Sequence, residues 1–331
     1  MEPIHVLTPD QRDELTAVLG AVPGNPYRDH REFVAGVAEV DAPRFLVEVC
    51  ERVRQDRLNG ISEAHVLRNC PVDPHIPDLD LDDPVADKYR KKTTFVGEAF
   101  LALVARLTRT PLMAYGSRNN GDFFTDVIAI NKYSGMQTGF SDSELPFHND
   151  RTAHWARADH IALLGMRCPQ DEVIYTTFVS GRALLRYLSD EDQEILRQPY
   201  FTTSFDVFSQ ATNSTQRSSG AHPILEGDHS IRYLETTTTV LPDAPGEAKD
   251  ALLAMKNALV VAEKQRHRLC DGDLLLFANQ DGLHSRDRIE ILDADRAATR
   301  WLLKTYAFRD QARADSFTGR WKDGVPGLID D

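Results

Sequence analysis

Apolar residues recur every three to four positions through the first third of the chain. They then give way to short runs crowded with β-branched and aromatic residues. In the first part, TPDQRDELTAVLGAV (8–22), with Thr8 placed to cap it, PYRDHREFVAGVAEV (26–40) and APRFLVEVCERVRQDRL (42–58) carry the helical period. A connector rich in Pro and Asp, CPVDPHIPDLDLDDPVAD (70–87), precedes VGEAFLALVARLTR (96–109), whose apolar density predicts a core-facing helix.

From about residue 111 the pattern predicts strands at DFFTDVIAIN (122–131), HIALLGMRC (160–168), DEVIYTTFVS (171–180), HSIRYLETTTTV (229–240), DGDLLLFANQ (271–280) and RWLLKTYAF (300–308). SGRALLRYLSDEDQEILRQ (180–198) and APGEAKDALLAMKNALVVAEKQRH (244–267) return to helical spacing and predict two insertions. No repeat, low-complexity tract or linker interrupts the chain. The expectation is one α+β unit over 1–331, with a mainly helical layer over 1–110 and a mostly antiparallel β-core over 111–331.

Composition narrows the function classes. The chain has 331 residues, 41% of them hydrophobic, enough for a large core. Lys and Arg number 38 against 51 Asp and Glu, a net charge of -13, and no basic block breaks that background, so a nucleic-acid surface is not expected. Four cysteines (Cys50, Cys70, Cys168 and Cys270) are too scattered for a disulfide framework or a cysteine zinc site, and read most simply as small hydrophobes. The N-terminus lacks a signal-peptide pattern and FLALVARL is too short to span a bilayer, so a cytoplasmic protein without membrane association is expected. The sequence leaves the oligomeric state open.

SELPFHNDRTAH (143–154) holds His148 and Asp150, two metal-capable side chains one residue apart. On a strand, residues i and i+2 share a face and can reach one ion; in a polar turn the same pair has no such use. His284 follows the apolar run of DGDLLLFANQDGLHSR (271–286) and would sit at a strand end, with Arg300 opening the next strand. Two imidazoles and one carboxylate on one face suit Fe(II) with positions left open. A planar arginine fork suits a distal carboxylate.

The blocks LPFHND, YTTFV, GDLLLFANQDGLHSR and RWLLKTYAFRD resemble the clavaminate synthase-like branch of the Fe(II)/2-oxoglutarate-dependent oxygenases, within the TauD/clavaminate synthase superfamily. That branch includes hydroxylases of free asparagine, arginine and lysine. The similarity runs through about residues 110 to 310. It implies a double-stranded β-helix (jelly-roll) core, and iron held by His148, Asp150 and His284. It also implies 2-oxoglutarate held by Arg300 with help from Thr176, and O2 as oxidant. Where relatives commonly carry a second arginine, this chain has Lys304, which keeps the charge and loses the bidentate geometry. Many amino-acid hydroxylases of the branch have Glu where Asp150 stands; Asp still ligates, and its presence argues against a halogenase.

The resemblance points to a small amino acid or a metabolite made from one, oxidised at an unactivated C–H bond with release of succinate and CO2. The resemblance does not separate hydroxylation from desaturation or epoxidation. Asn119 and Asn120 stand where relatives grip an α-amine, and offer hydrogen bonds without a counter-charge. A neutral or capped substrate, such as a cyclic dipeptide or another natural-product intermediate, is therefore as well supported as a free amino acid. Trp155, Glu235 and Lys304 complete the candidate substrate contacts, Trp155 as a possible lid and Glu235 heading a threonine run. Two other classes compete: a zinc hydrolase using the same His/Asp/His set, and a non-catalytic β-barrel binding protein.

Overall fold

The structure is a computed structural model and describes residues 1–136, 140–141, 143–205 and 218–331. Five helices build the N-terminal layer: α1 (Pro9–Gly20), α2 (His30–Ala38), α3 (Arg44–Leu58), α4 (Pro84–Lys91) and α5 (Val96–Leu107). Thr8 closes a full capping box with Gln11 at the start of α1, and the carboxylates of Asp29 and Asp83 cap α2 and α4. Each cap satisfies backbone N–H groups that the first turn leaves without partners.

The strands follow in chain order: β1 (His5–Val6), β2 (Ala64–Arg68), β3 (Leu112–Tyr115), β4 (Thr125–Val127), β5 (Leu145–His148), β6 (His160–Arg167), β7 (Val173–Ser180), β8 (Phe201–Thr203), β9 (Leu225–Glu226), β10 (Ser230–Ile231), β11 (Thr238–Val240), β12 (Gln265–His267), β13 (Leu274–Ala278), β14 (Gly282–Glu290), β15 (Trp301–Ala307) and β16 (Leu328–Ile329). Between them lie α6 (Gly181–Leu185), α7 (Asp190–Leu196), α8 (Glu247–Val261), α9 (Ala294–Ala298) and α10 (Gln311–Asp315). The larger sheet runs β1-β2-β13-β6-β15-β3-β16, with β4 also on β15; the smaller runs β12-β7-β14-β5.

Period-2 alternation decides what each sheet face covers. On the larger sheet, Ala162, Leu164 and Met166 of β6, Leu274 and Leu276 of β13, and Trp301 and Leu303 of β15 pack under the N-terminal helices with Leu15, Phe33 and Phe100. Their neighbours Ile161, Leu163, Leu275, Phe277, Leu302 and Tyr306 point the other way, toward Phe178 of the smaller sheet. Val179 and Leu283 face outward from that smaller sheet, into a third cluster with Leu184, Leu196 and Met255 of α6, α7 and α8. Each fully buried Leu or Phe contributes roughly 1.5–3 kcal/mol. The polar residues left on the two inner faces therefore occupy positions the packing would favour filling with apolar side chains.

The fold is a mixed α and β one, as expected. The chain differs locally from its pattern. DFFTDVIAIN supplies only β4, its ends being irregular backbone, and the 180–198 segment is two short helices because Ser189 caps a new one. The apolar run at Ala64–Arg68 is a strand inside the helical layer, paired with β13, so the N-terminal third contributes to the main sheet. Among the described residues no helix is long and apolar enough to cross a membrane.

Candidate active site

Between the inner faces of the two sheets lies a cavity of about 330 Å³, within the range of small-molecule sites. Its floor is set by register. His284 of β14 pairs directly with His148 at the end of β5, and the two imidazoles lie 4.2 Å apart between centroids. Gly282 permits the close approach of β14 to β7, since a Cβ there would lie 2.6 Å from the Val179 carbonyl oxygen. Asp150 follows in the turn after β5. Its Oδ1 lies 3.3 Å from His148 Nε2 and 3.5 Å from His284 Nε2. The three ligand atoms all fall within 4.8 Å of one another.

This geometry fits an ion. An octahedral first-row metal with bonds of about 2.1 Å places adjacent donors about 3 Å apart. His148 Nδ1 is 2.8 Å from the Pro146 carbonyl oxygen, to which it can only donate; that tautomer leaves Nε2 as a lone pair facing the cluster. Burial, reinforced by the neighbouring His148, lowers the His284 pKa to about 4, so its imidazole is neutral and available at neutral pH. Burial alone would raise Asp150, but Lys304 and the two histidines outweigh it and hold the carboxyl well below the usual range. Two ring nitrogens and one anionic carboxylate oxygen thus face a common point.

Two asparagines that sequence reading passed over hold this arrangement. Asn149 Nδ2 donates to the carbonyls of Asn279 and Gly282, and its Oδ1 accepts from Tyr233 N–H. Asn279 answers through Oδ1, which accepts from Asp150 N–H at 2.8 Å. The only hint in sequence was an amide residue inside each ligand-bearing block.

The candidate cosubstrate residues also reach the cavity. Arg300 lines it and is buried, yet among the described residues no carboxylate or hydrogen-bond acceptor meets its guanidinium. Burial lowers its pKa, a cost that an anion in the cavity would relieve. Thr176, buried on β7, lines the same space; Thr177 faces away and bonds Asp287.

The candidate substrate residues divide. Asn119 lines the cavity, whereas Asn120 opens onto a separate groove with Tyr27, Arg28 and Tyr89. Trp155 is 48% exposed and stacks on Phe317 outside the cavity, with Arg320 on its ring. Glu235 accepts from Phe147 N–H and so braces β5, while its neighbours Thr236 and Thr237 line the cavity. Lys304 lines the cavity with its ammonium on Asp150 Oδ2, 2.8 Å away.

The counter-charge that Asn119 and Asn120 lack is three residues on. Asp122 and Asp126 both line the cavity. Asp126 is neutralised by Lys88 at 2.6 Å and accepts from Trp301 Nε1. Asp122 contacts Lys88 only at 3.6 Å, and burial raises its pKa to about 6 against the opposing pull of that lysine. Tyr89 donates to its Oδ2. A perturbed carboxyl beside a ligand cluster is a common mark of a working site.

With this geometry in place, comparison defines the class. Residues 97–306 match the family described as taurine catabolism dioxygenase TauD, TfdA family, and the chain belongs to it. It is a non-haem iron, 2-oxoglutarate-dependent dioxygenase. The chain is similar to an L-asparagine oxygenase of Streptomyces coelicolor, at 27% identity over 78% of this chain and 74% of the relative. It is also similar to an L-lysine 3-hydroxylase of Catenulispora acidiphila, at 23% identity over 94% and 85%. A structure of asparagine oxygenase with Fe(II), 2S,3S-3-hydroxyasparagine and succinate shares the fold at TM-score 0.79 and 22% identity, covering 98% of each chain. The non-haem iron oxygenase OrfP with Fe, succinate and (3S)-hydroxy-L-Arg does so at 0.75 and 23%, covering 98% of this chain and 99% of that one.

Proposed function

We propose that this protein hydroxylates a small amino acid bearing a free amine, using iron held by His148, Asp150 and His284 and 2-oxoglutarate held by Arg300 with Thr176. The two sheets are read as the faces of a double-stranded β-helix. The whole chain is read as one unit, supported by the pairing of β2 with β13. Bound iron with 2-oxoglutarate and O2 supplies the oxidising power. The protein contributes binding, orientation and exclusion of water.

One observation carries the cosubstrate reading: a buried arginine with no acceptor on its guanidinium among the described residues opens onto the same cavity as the His/Asp/His cluster. A zinc hydrolase would have no use for it, and it would be an unrelieved cost in a binding protein without an anionic ligand. On substrate, Asp122 supports an ammonium partner, and the relatives named above act on asparagine and lysine. Leu145, Leu163, Leu234 and Leu302 line the cavity beside Thr152, Ser204 and Thr237, so it can take the aliphatic stem of an amino acid as well as polar groups. The capped-substrate reading loses its main support, since the missing counter-charge is supplied by Asp122.

The test is succinate formation across a panel of free amino acids and their Nα-acetyl counterparts, with Fe(II), ascorbate and 2-oxoglutarate. Turnover confined to free amines, with KM rising on Asp122→Asn, is expected. Efficient turnover of acetylated substrates or cyclic dipeptides would overturn the amine reading.

A further inference from the structure

The Asp150 carboxylate is held asymmetrically. Oδ1 faces the two histidines, at 3.3 and 3.5 Å. Oδ2 lies 2.8 Å from Lys304 Nζ and 2.7 Å from Tyr306 Oη, and those two donors are themselves 2.8 Å apart. Lys304 and Tyr306 are i and i+2 on the inner face of β15, a strand paired on one side with β6 and on the other with β4 and β3. The Tyr306 ring is fixed edge-on against Tyr115, centroids 5.4 Å apart at 82°. The Lys304 ammonium is held by its bonds to Asp150 and Tyr306.

We infer that Lys304 and Tyr306 are positioning residues that clamp Asp150 Oδ2 and so restrict the carboxylate to a single metal-facing oxygen. The inference rests on the iron-site reading above. A free carboxylate can chelate an ion through both oxygens or bind through one, and which it does depends on what else the second oxygen meets. Here that oxygen accepts one charge-assisted bond and one phenolic bond, which uses up its lone pairs toward the strand side. One-oxygen binding keeps more of the ion's coordination sphere open to the cosubstrate.

The clamp also assigns Lys304 a different partner from a substrate acid. Its ammonium is committed to Asp150, so a substrate carboxylate must find its partner elsewhere in the cavity.

Anaerobic Co(II) titration of the apoprotein, followed by visible d–d absorption, tests this without turnover. The variants are Lys304→Met, Tyr306→Phe, the double variant and Lys304→Arg, with far-UV circular dichroism as the control for folding. The clamp predicts a loss of about 10–100-fold in Co(II) affinity for the double variant, the range seen when outer partners of metal ligands are removed. It also predicts a changed d–d intensity, reporting altered coordination, and partial recovery in Lys304→Arg, which keeps a donor. A folded double variant with wild-type affinity and spectrum would overturn the clamp. Should the double variant not fold, Tyr306→Phe decides on the same two readouts, because it removes one bond and no charge. Wild-type protein that binds no Co(II) would instead overturn the iron-site reading, and the clamp with it.

Discussion

Asn149 and Asn279 each bond the other's segment of main chain, and by doing so tie together the two stretches that carry the His/Asp/His cluster. Asn149 sits between His148 and Asp150 and reaches the carbonyls of Asn279 and Gly282; Asn279 takes the Asp150 N–H on Oδ1 and donates to the Ala158 carbonyl. Both side chains are fully buried, 2% and 0% exposed, so water cannot substitute for a lost bond.

Asn149→Ala should therefore act on both the fold and the site. It strands the Tyr233 N–H and the Gly282 carbonyl, whose bonds it now satisfies. A loss of about 2–5 kcal/mol is expected from urea unfolding. Co(II) affinity should fall in the fraction that remains folded. Wild-type stability would remove the clasp from the account of the site.

Arg300→Lys keeps the charge and removes the planar fork. The KM for 2-oxoglutarate should rise about 10–100-fold, equivalent to about 1.4–2.8 kcal/mol. Fe(II) affinity without cosubstrate should stay put. Anaerobic titration of 2-oxoglutarate into Fe(II)-loaded protein, read at the visible charge-transfer band, separates the two. An unchanged titration would move the anchor to another cation of the cavity.

Asp122 should show its cost as a pH dependence. Its pKa is about 6 in the folded chain and about 3.9 when unfolded. Between those values the unfolded state loses its proton first, so this group makes the protein less stable as pH rises, by up to about 3 kcal/mol above pH 6. Asp122→Asn abolishes that slope. Its stability relative to wild type should grow from pH 4 to pH 6 and stay level above, measured by thermal unfolding in parallel buffers. A difference that shrinks with pH would mean that attraction to Lys88 dominates.

Four histidines act in the opposite sense. Burial lowers His30, His65, His222 and His284 to about 4, against about 6.5 unfolded. Above pH 6.5 all are neutral in both states and contribute nothing. As pH falls toward 4 the unfolded chain binds protons that the folded chain refuses, and stability is lost. His154 and His160 are lowered by burial as well, so among the described residues six such histidines stand against three carboxyls that burial raises, Glu98, Asp122 and Asp159. The urea midpoint of metal-free protein should fall steadily from pH 7 to pH 4; a flat profile would contradict the burial of these rings.

Much of this was legible because it is written in short-range pattern. The α1 cap at Thr8 and the alternation along β6, β13 and β15 follow from local periodicity and local chemistry, whereas Asp150 lies in the turn past the end of β5, where the strand-face rule that suggested its pairing with His148 does not place it. The order of metal-capable residues, and Arg300 opening a strand, could be read because β-strands keep their side-chain faces fixed. That reading carried the class of chemistry before any contact was known.

What the chain could not declare is where partners meet across long separations. Lys304 lies on Asp150 because β15 and the turn after β5 converge over 154 positions of sequence, and no local rule assigns that ammonium to a carboxylate rather than a substrate. Asp122 headed the segment expected as a strand and carried no assigned role; the fold sets it on the cavity, where burial raises its pKa. Trp155 and Glu235 ran the other way, reading as site residues while packing turned one outward and the other onto β5. Local sequence determines which face a side chain leaves by; only tertiary packing decides what it meets there and whether water comes with it.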